Sequence, residues 1–347
     1  MARAQPPTAA APYFDELRAG QVERSAPAVT LTEGQAAIHQ SILGDRLRLA
    51  LDAPLSRAVV GGERPLAHPA LVWDLAIGQS TVLTGRVRAN LFYRGLALRR
   101  APLIGDTLST TTEVVGLRQT TPRPDRPATG LAALRIVTVD QEDRSVLDFW
   151  RCAMLPLRDP EGASGHDDSF DAIPAELDPE LLGAAVSTWN LEPLRQCRES
   201  VAMREECDTA EPLSRLAVGD RVGAHTGDVV SGAPELARLT LNVAAVHHDR
   251  HAHSGERRLV YGGHTIGLAA AQATRAIPEI ATIVGWHSCD HLAPVHEGDT
   301  LHSEIELEQL QPLPNGGALA HLRSRVSADG EGEPTQVLDW RFVALVA

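Results

Sequence analysis

Two stretches of helical length carry apolar or small residues on every face, residues 69–83 and 263–274, and each is followed by four strand-like runs. After the first come 86–98, 106–119, 129–139 and 145–155, and after the second 280–287, 300–310, 317–326 and 336–346. The runs alternate apolar with polar positions or gather β-branched residues, the pattern of strands with one buried face. Turn-rich pieces such as Pro312-Leu313-Pro314-Asn315-Gly316-Gly317 separate them. A helix apolar all round must be buried. Each half therefore predicts one long buried helix wrapped by an antiparallel sheet, an α+β class, preceded by an irregular polar segment.

The two halves read as copies. Ala101-Pro102-Leu103-Ile104-Gly105-Asp106-Thr107-Leu108 returns as Ala293-Pro294-Val295-His296-Glu297-Gly298-Asp299-Thr300-Leu301, with the aspartates 193 positions apart. Leu147-Asp148-Phe149-Trp150-Arg151 returns as Leu338-Asp339-Trp340-Arg341, offset 191, and Gly20 as Gly219, offset 199. Three matches in order at slowly drifting offsets indicate a diverged duplication. Between the copies, DPEGASGHDDSFDAIPAELDPE has turn residues and little periodicity. The expected organisation is a first domain at 1–157, an acidic linker at 158–196 and a second domain at 197–347, the halves packing as a pseudo-dimer.

Charge and composition narrow the partners. The formal charge of −13 disfavours nucleic acid, which needs a broad basic face. No apolar run reaches membrane-spanning length and the N-terminus lacks a signal-peptide core, so a cytoplasmic protein without membrane contact is expected. Cys152, Cys197, Cys207 and Cys289 form no C-x-x-C and read as small side chains rather than a disulfide or zinc framework. Nine of the fourteen histidines fall between His247 and His302. The run His247-His248-x-x-His251-x-His253 nevertheless lacks a further ligand at metal spacing, so no metal is expected. Neither a nucleotide fingerprint nor a P-loop is present, and no cofactor is implied.

Two segments carry the chemistry. Half 1 reads Gly44-Asp45-Arg46-Leu47-Arg48-Leu49-Ala50-Leu51-Asp52, and half 2 reads Leu241-Asn242-Val243-Ala244-Ala245-Val246-His247-His248-Asp249. The buried helices open with His68-Pro69 and Tyr261-Gly262-Gly263. These segments resemble the G-D-x-N-P-L-H-x-D motif and the His-Gly helix start of the MaoC-like (R)-specific enoyl-CoA hydratases, and the resemblance covers nearly the whole chain. It implies a tandem (double) hotdog fold, an acyl-CoA substrate with CoA as part of that substrate, and a cofactor-free hydro-lyase. Closer wording, ANLFYRGLALRRAPLIGDTL and LTLNVAAVHHD with RLVYGGHTIGLA, resembles the branch that interconverts mesaconyl-CoA and β-methylmalyl-CoA.

On this reading half 2 is the catalytic copy, since half 1 has Ala50 at the histidine position and Pro69 has no backbone N–H to donate. His247 is the candidate base, because imidazole exchanges protons near neutrality. Gly262, with Gly263, would let a thioester oxygen approach the N–H groups of a helix start. Asn242 departs from the motif's aspartate, and Asp249, Asp290 or Asp45 could supply the missing carboxylate. His264 and Arg250, with Arg257 and Arg258, are candidates for a substrate carboxylate. Arg94, Arg99 and Arg100, or Arg46 and Arg48, are candidates for CoA phosphates. Hydration of another enoyl-CoA, a hotdog thioesterase and a non-catalytic acyl-CoA-binding protein are the alternatives, and a homo-oligomer stays open.

Overall fold

The computed structural model describes residues 11–122, 128–177, 179–202, 213–224, 226–249, 251–252, 257–329 and 333–347. Half 1 comprises β1 (Val22–Glu23), β2 (Val29–Thr30), α1 (Glu33–Leu43), α2 (Arg48–Leu51), α3 (Ala53–Val60), α4 (Pro69–Gln79), β3 (Ala89–Leu98), β4 (Thr107–Gln119), β5 (Thr129–Val139) and β6 (Ser145–Pro156). Two linker helices follow, α5 (Pro179–Val186) and α6 (Glu192–Ala202). Half 2 comprises β7 (Arg221–Gly223), β8 (Asp228–Val229), α7 (Ala233–Leu239), α8 (Gly262–Ala276), β9 (Ile280–His291), β10 (Thr300–Pro312), β11 (Ala318–Asp329) and β12 (Thr335–Val346).

Among the described residues the strands form one sheet in the order β1-β4-β5-β6-β3-β9-β12-β11-β10-β7, with β2 beside β4 and β8 beside β10. The order reads the same from either end, half 1 against half 2. The joint is the antiparallel pair β3·β9, in which Tyr93 faces Cys289 and Arg94 faces Ser288. All eight long strands fall where alternation places them. Each half's helix lies in the curve of its own sheet: every residue of α4 is buried, as is nearly all of α8. Trp73 of α4 meets Trp286 of β9 edge-on at 4.8 Å, and Trp286 meets Trp340 of β12 at 5.6 Å, so one aromatic cluster ties both halves together.

Repeated turns explain the repeated sequence. The Asp106 carboxylate accepts the Leu103 N–H at 3.0 Å and pairs with Arg64, while Asp299 accepts the His296 N–H at 2.8 Å and pairs with Arg257. These aspartates close turns, which is why Gly-Asp-Thr-Leu survives in both copies.

Two regions depart from the sequence reading. The segment before α4 is helical rather than irregular. Thr32 and Gln35 form a reciprocal capping box that starts α1, and Gly44 ends it at φ 70°, a conformation glycine adopts without strain. The linker is likewise ordered into α5 and α6, the latter running past residue 196. Leu177, Leu182, Val186, Trp189, Leu191 and Leu194 are buried in a second apolar cluster, and this burial outweighs the breaker-rich composition upstream. Among the described residues no helix is long and apolar enough to cross a membrane.

Candidate active site

Half 2 opens into a cleft of about 1030 Å³ at the β3·β9 joint. Its walls come from both copies: Thr81, Arg88, Asn90, Tyr93 and Arg151 from half 1, and Asn242, His247, Tyr261, Gly262 and His291 from half 2. The corresponding space in half 1, beside Leu66, Ala67, Pro69 and Pro102, has only about 270 Å³ and is closed by Ala185, Val186 and Trp189 of the linker. The linker therefore stops one of two related clefts.

His247 is held in one tautomer. Its Nδ1 lies 3.1 Å from the Leu259 carbonyl, an acceptor only, so Nδ1 carries the proton and Nε2 keeps its lone pair. Burial pushes its pKa down to about 4, with the Leu259 hydrogen bond opposing part of that shift. The imidazole is thus neutral and basic at Nε2 at physiological pH. Tyr261 packs edge-on against it at 5.9 Å, and the Tyr261 hydroxyl reaches Asp74 of α4 at 3.2 Å. A residue of the first copy therefore positions the wall around the histidine of the second.

The two buried helices present opposite N-termini. In half 1, Pro69 has no N–H and His68 Nδ1 accepts the Ala70 N–H at 2.9 Å, so that terminus is blocked and capped. In half 2, no side chain caps α8, and Gly262 faces the cleft. Its uncapped N–H groups, aligned with the helix dipole, suit a developing oxyanion. A Cβ at Gly262 would sit 2.8 Å from the His291 ring, so glycine lets that ring close over the helix start.

The sequence candidates divide. Asn242, His247 and Gly262 come together on the cleft wall. The Asn242 Oδ1 accepts the Ala244 N–H at 2.9 Å, as Asp45 Oδ1 accepts the Leu47 N–H at 3.0 Å in half 1. This shared turn shows what the motif's first position does in either copy, and it leaves the Asn242 NH2 for a ligand. Asp249 is exposed, bonded to the His251 N–H, and off the cleft wall. Gly263 and His264 face inward: a Cβ at Gly263 would lie 2.2 Å from Asp74, and His264 is fully buried. Arg94, Arg99 and Arg100 are paired with Asp290, Asp148 and Asp140, and Arg258 with Glu297. Arg250 lies outside the described residues, as do His253 and Cys207. Sequence reasoning missed Arg88, Arg151 and His291. Arg151 was in view as part of the Asp148 repeat, but only as a marker of duplication.

A buried network lies behind the site. Asp45 Oδ2 is 2.7 Å from His68 Nε2, and His39 Nε2 is 3.1 Å from Asp74. Burial alone would raise the Asp45 pKa, yet His68 and the Leu47 N–H hold it below the usual carboxylate range. His39, Asp45 and His68 are close enough to suggest a cation site. Because His68 Nδ1 accepts an N–H, however, its proton sits on Nε2 toward Asp45, where a metal would need the lone pair.

The pH response follows from burial. His247, His264, His287 and His291 all have pKa values pushed down to about 4 by desolvation. An unfolded histidine titrates near 6.5, so this stability is complete above about 6.5 and is lost as pH falls toward 4. Each such histidine costs up to about 1.4 kcal/mol per pH unit in that window. Thermal scans between neutrality and about pH 4 should show Tm falling throughout that window. Initial rates after a brief acid jump should show the base limb near 4; a break near 6.5 would assign the base elsewhere.

Two antiparallel sheets, each wrapping a buried helix and joined about a pseudo-twofold with one open cleft, define a double-hotdog protein. The chain is 51% identical to a solved conserved hypothetical protein from Mycobacterium tuberculosis, described as essential for bacterial survival during infection and as having a double hotdog fold. The TM-score is 0.81, covering 96% of this chain and 98% of that one. It is 28% identical over 357 residues to β-methylmalyl-CoA dehydratase of Chloroflexus aurantiacus, covering 96% of each chain. It is 25% identical over 358 residues to mesaconyl-CoA hydratase of Cereibacter sphaeroides, covering 98% of this chain and 99% of the other. No protein-family model matches. The chain belongs to the MaoC-like double-hotdog dehydratases, a hydro-lyase family.

Proposed function

We propose that this protein reversibly adds water to an enoyl-CoA thioester, and that its substrate pair is mesaconyl-CoA and β-methylmalyl-CoA. The observation that carries the reading is the neutral His247, with Nε2 unprotonated, in the same cleft as the uncapped start of α8. With the thioester oxygen at the Gly262 end of the helix, electron density drawn from C2=C3 is stabilised as an enolate. His247 Nε2 takes a proton from a water whose oxygen bonds to C3. The imidazolium then returns that proton to C2, so one water is added and His247 is neutral again.

Half 2 supplies this chemistry, and half 1 supplies binding surface. Asn242 offers its NH2 to a substrate oxygen rather than acting as a base, since an amide accepts no proton near neutrality. Arg88, exposed on the cleft wall with no carboxylate partner among the described residues, is placed to meet a CoA phosphate. The names of the two curated relatives support the acyl group.

The test is a substrate panel followed at the enoyl-thioester absorbance. Mesaconyl-CoA is expected to be hydrated with a kcat/KM at least about tenfold above that of crotonyl-CoA, in keeping with the cost of leaving a buried polar site unpaired. A reversed preference would leave the enoyl-CoA hydratase and remove the dicarboxylyl substrate. Release of free CoA without hydration would make the protein a thioesterase.

A further inference from the structure

Arg151 of β6 is 3% exposed, yet its guanidinium forms part of the cleft wall. Its Nε donates to Asn90 Oδ1 at 2.8 Å, Nη1 to Ser80 Oγ at 2.7 Å and Nη2 to Thr84 Oγ1 at 3.1 Å. All three acceptors are neutral. Among the described residues no carboxylate comes within 4.0 Å of it, whereas Arg94, Arg99 and Arg100 each have an acidic partner. A buried cation held only by neutral oxygens remains uncompensated. Arginine has five N–H groups; three are used, and the remaining two, one on each Nη, match the fork of a carboxylate.

We propose that Arg151, contributed by the non-catalytic copy, binds the distal carboxylate of a dicarboxylyl-CoA thioester and thereby sets acyl specificity. This rests on the hydro-lyase reading of the same cleft. An apolar acyl end would leave the guanidinium uncompensated, whereas a carboxylate both neutralises it and fixes the acyl chain between Arg151 and His247. Specificity thus arises across the joint of the two copies.

Binding and turnover separate this inference from the reaction itself. Calorimetry with succinyl-CoA and butyryl-CoA, which contain no C2=C3 bond, reads carboxylate recognition alone. The wild type should bind succinyl-CoA at least about tenfold more tightly, and Arg151→Met should erase the preference. Asn90→Asp keeps the arginine and places an internal carboxylate at its Nε, so it too should erase the preference even if Arg151→Met folds poorly. In turnover, the kcat/KM ratio of mesaconyl-CoA to tiglyl-CoA, its neutral methyl counterpart, should fall at least about a hundredfold in both variants. An unchanged ratio and binding preference in Asn90→Asp would overturn the assignment, as would a wild type that binds both saturated thioesters alike. A parallel loss on mesaconyl-CoA and tiglyl-CoA would also overturn it, by giving Arg151 a role at the thioester oxygen. A wild type that prefers succinyl-CoA but hydrates neither enoyl thioester would uphold Arg151 and reject the hydro-lyase reading.

Discussion

His247→Ala is expected to lower kcat at least a hundredfold, about the scale of losing a general acid–base group. The alanine variant also leaves the Leu259 carbonyl without its donor, at a cost of roughly 1 kcal/mol. His247→Asn separates the two effects. An asparagine NH2 lies where Nδ1 lies, so it can keep the hydrogen bond to Leu259 while removing the lone pair at Nε2. Both variants should lose activity together, with His247→Asn holding its Tm closer to that of the wild type. An asparagine variant with near-normal kcat would show that His247 shapes the loop and that another group moves the proton.

Gly78→Ala is expected to destabilise the protein by about 3 kcal/mol or more, against the sign that helix propensity alone predicts. In the body of a helix, glycine to alanine gains up to about 1 kcal/mol. At Gly78 in α4, however, a Cβ would fall 1.7 Å from the Thr240 carbonyl oxygen and 3.2 Å from the Asn242 backbone nitrogen. Those are backbone atoms of the other copy, fixed by the hydrogen bond from the Asn242 N–H to the Ala237 carbonyl at 2.9 Å. Overpacking against such atoms costs more than the propensity gain. The displaced segment carries Asn242 and leads into His247, so kcat should fall along with Tm. A variant that melts at or above the wild-type temperature would mean that the halves part more easily than this contact implies.

The sequence made the sheet legible because period-2 alternation reports a buried face directly, and all eight long strands follow it. The buried helices were legible because nothing polar interrupts them at any angle. His247 and Gly262 were legible through a motif whose spacing survives the loss of its aspartate. The cations were not. Arg250, Arg257 and Arg258 stand near His247 in the chain, but Arg257 is the repeat of Arg64 and closes a turn on Asp299, while Arg258 pairs with Glu297. The cation that does reach the cleft is about a hundred residues away in sequence and arrives through β3·β9 pairing, which local pattern cannot reveal. The linker helices were missed for a related reason: Val186 and Trp189 gain their burial from a cleft in a different domain, and their own neighbourhood carries no helical stripe.

The ladder position of Arg151 shows what fusing the copies permits. Arg151 stands opposite Tyr93 and Leu134, and the same position in half 2 holds Phe342, opposite Trp286 and Leu322 and stacked on Trp340 at 4.0 Å. In an assembly of two identical chains, any residue facing one cleft has a twin facing the other, and no position can be charged in one copy and aromatic in the other. A single reading frame removes that constraint. The acyl ligand proposed here is itself lopsided, with a thioester at one end and an anion at the other, and a covalently joined pair can meet it with unlike partners. One cleft per polypeptide is the stoichiometric counterpart: saturation should occur at one equivalent of acyl-CoA per chain, half the number that two identical copies would hold.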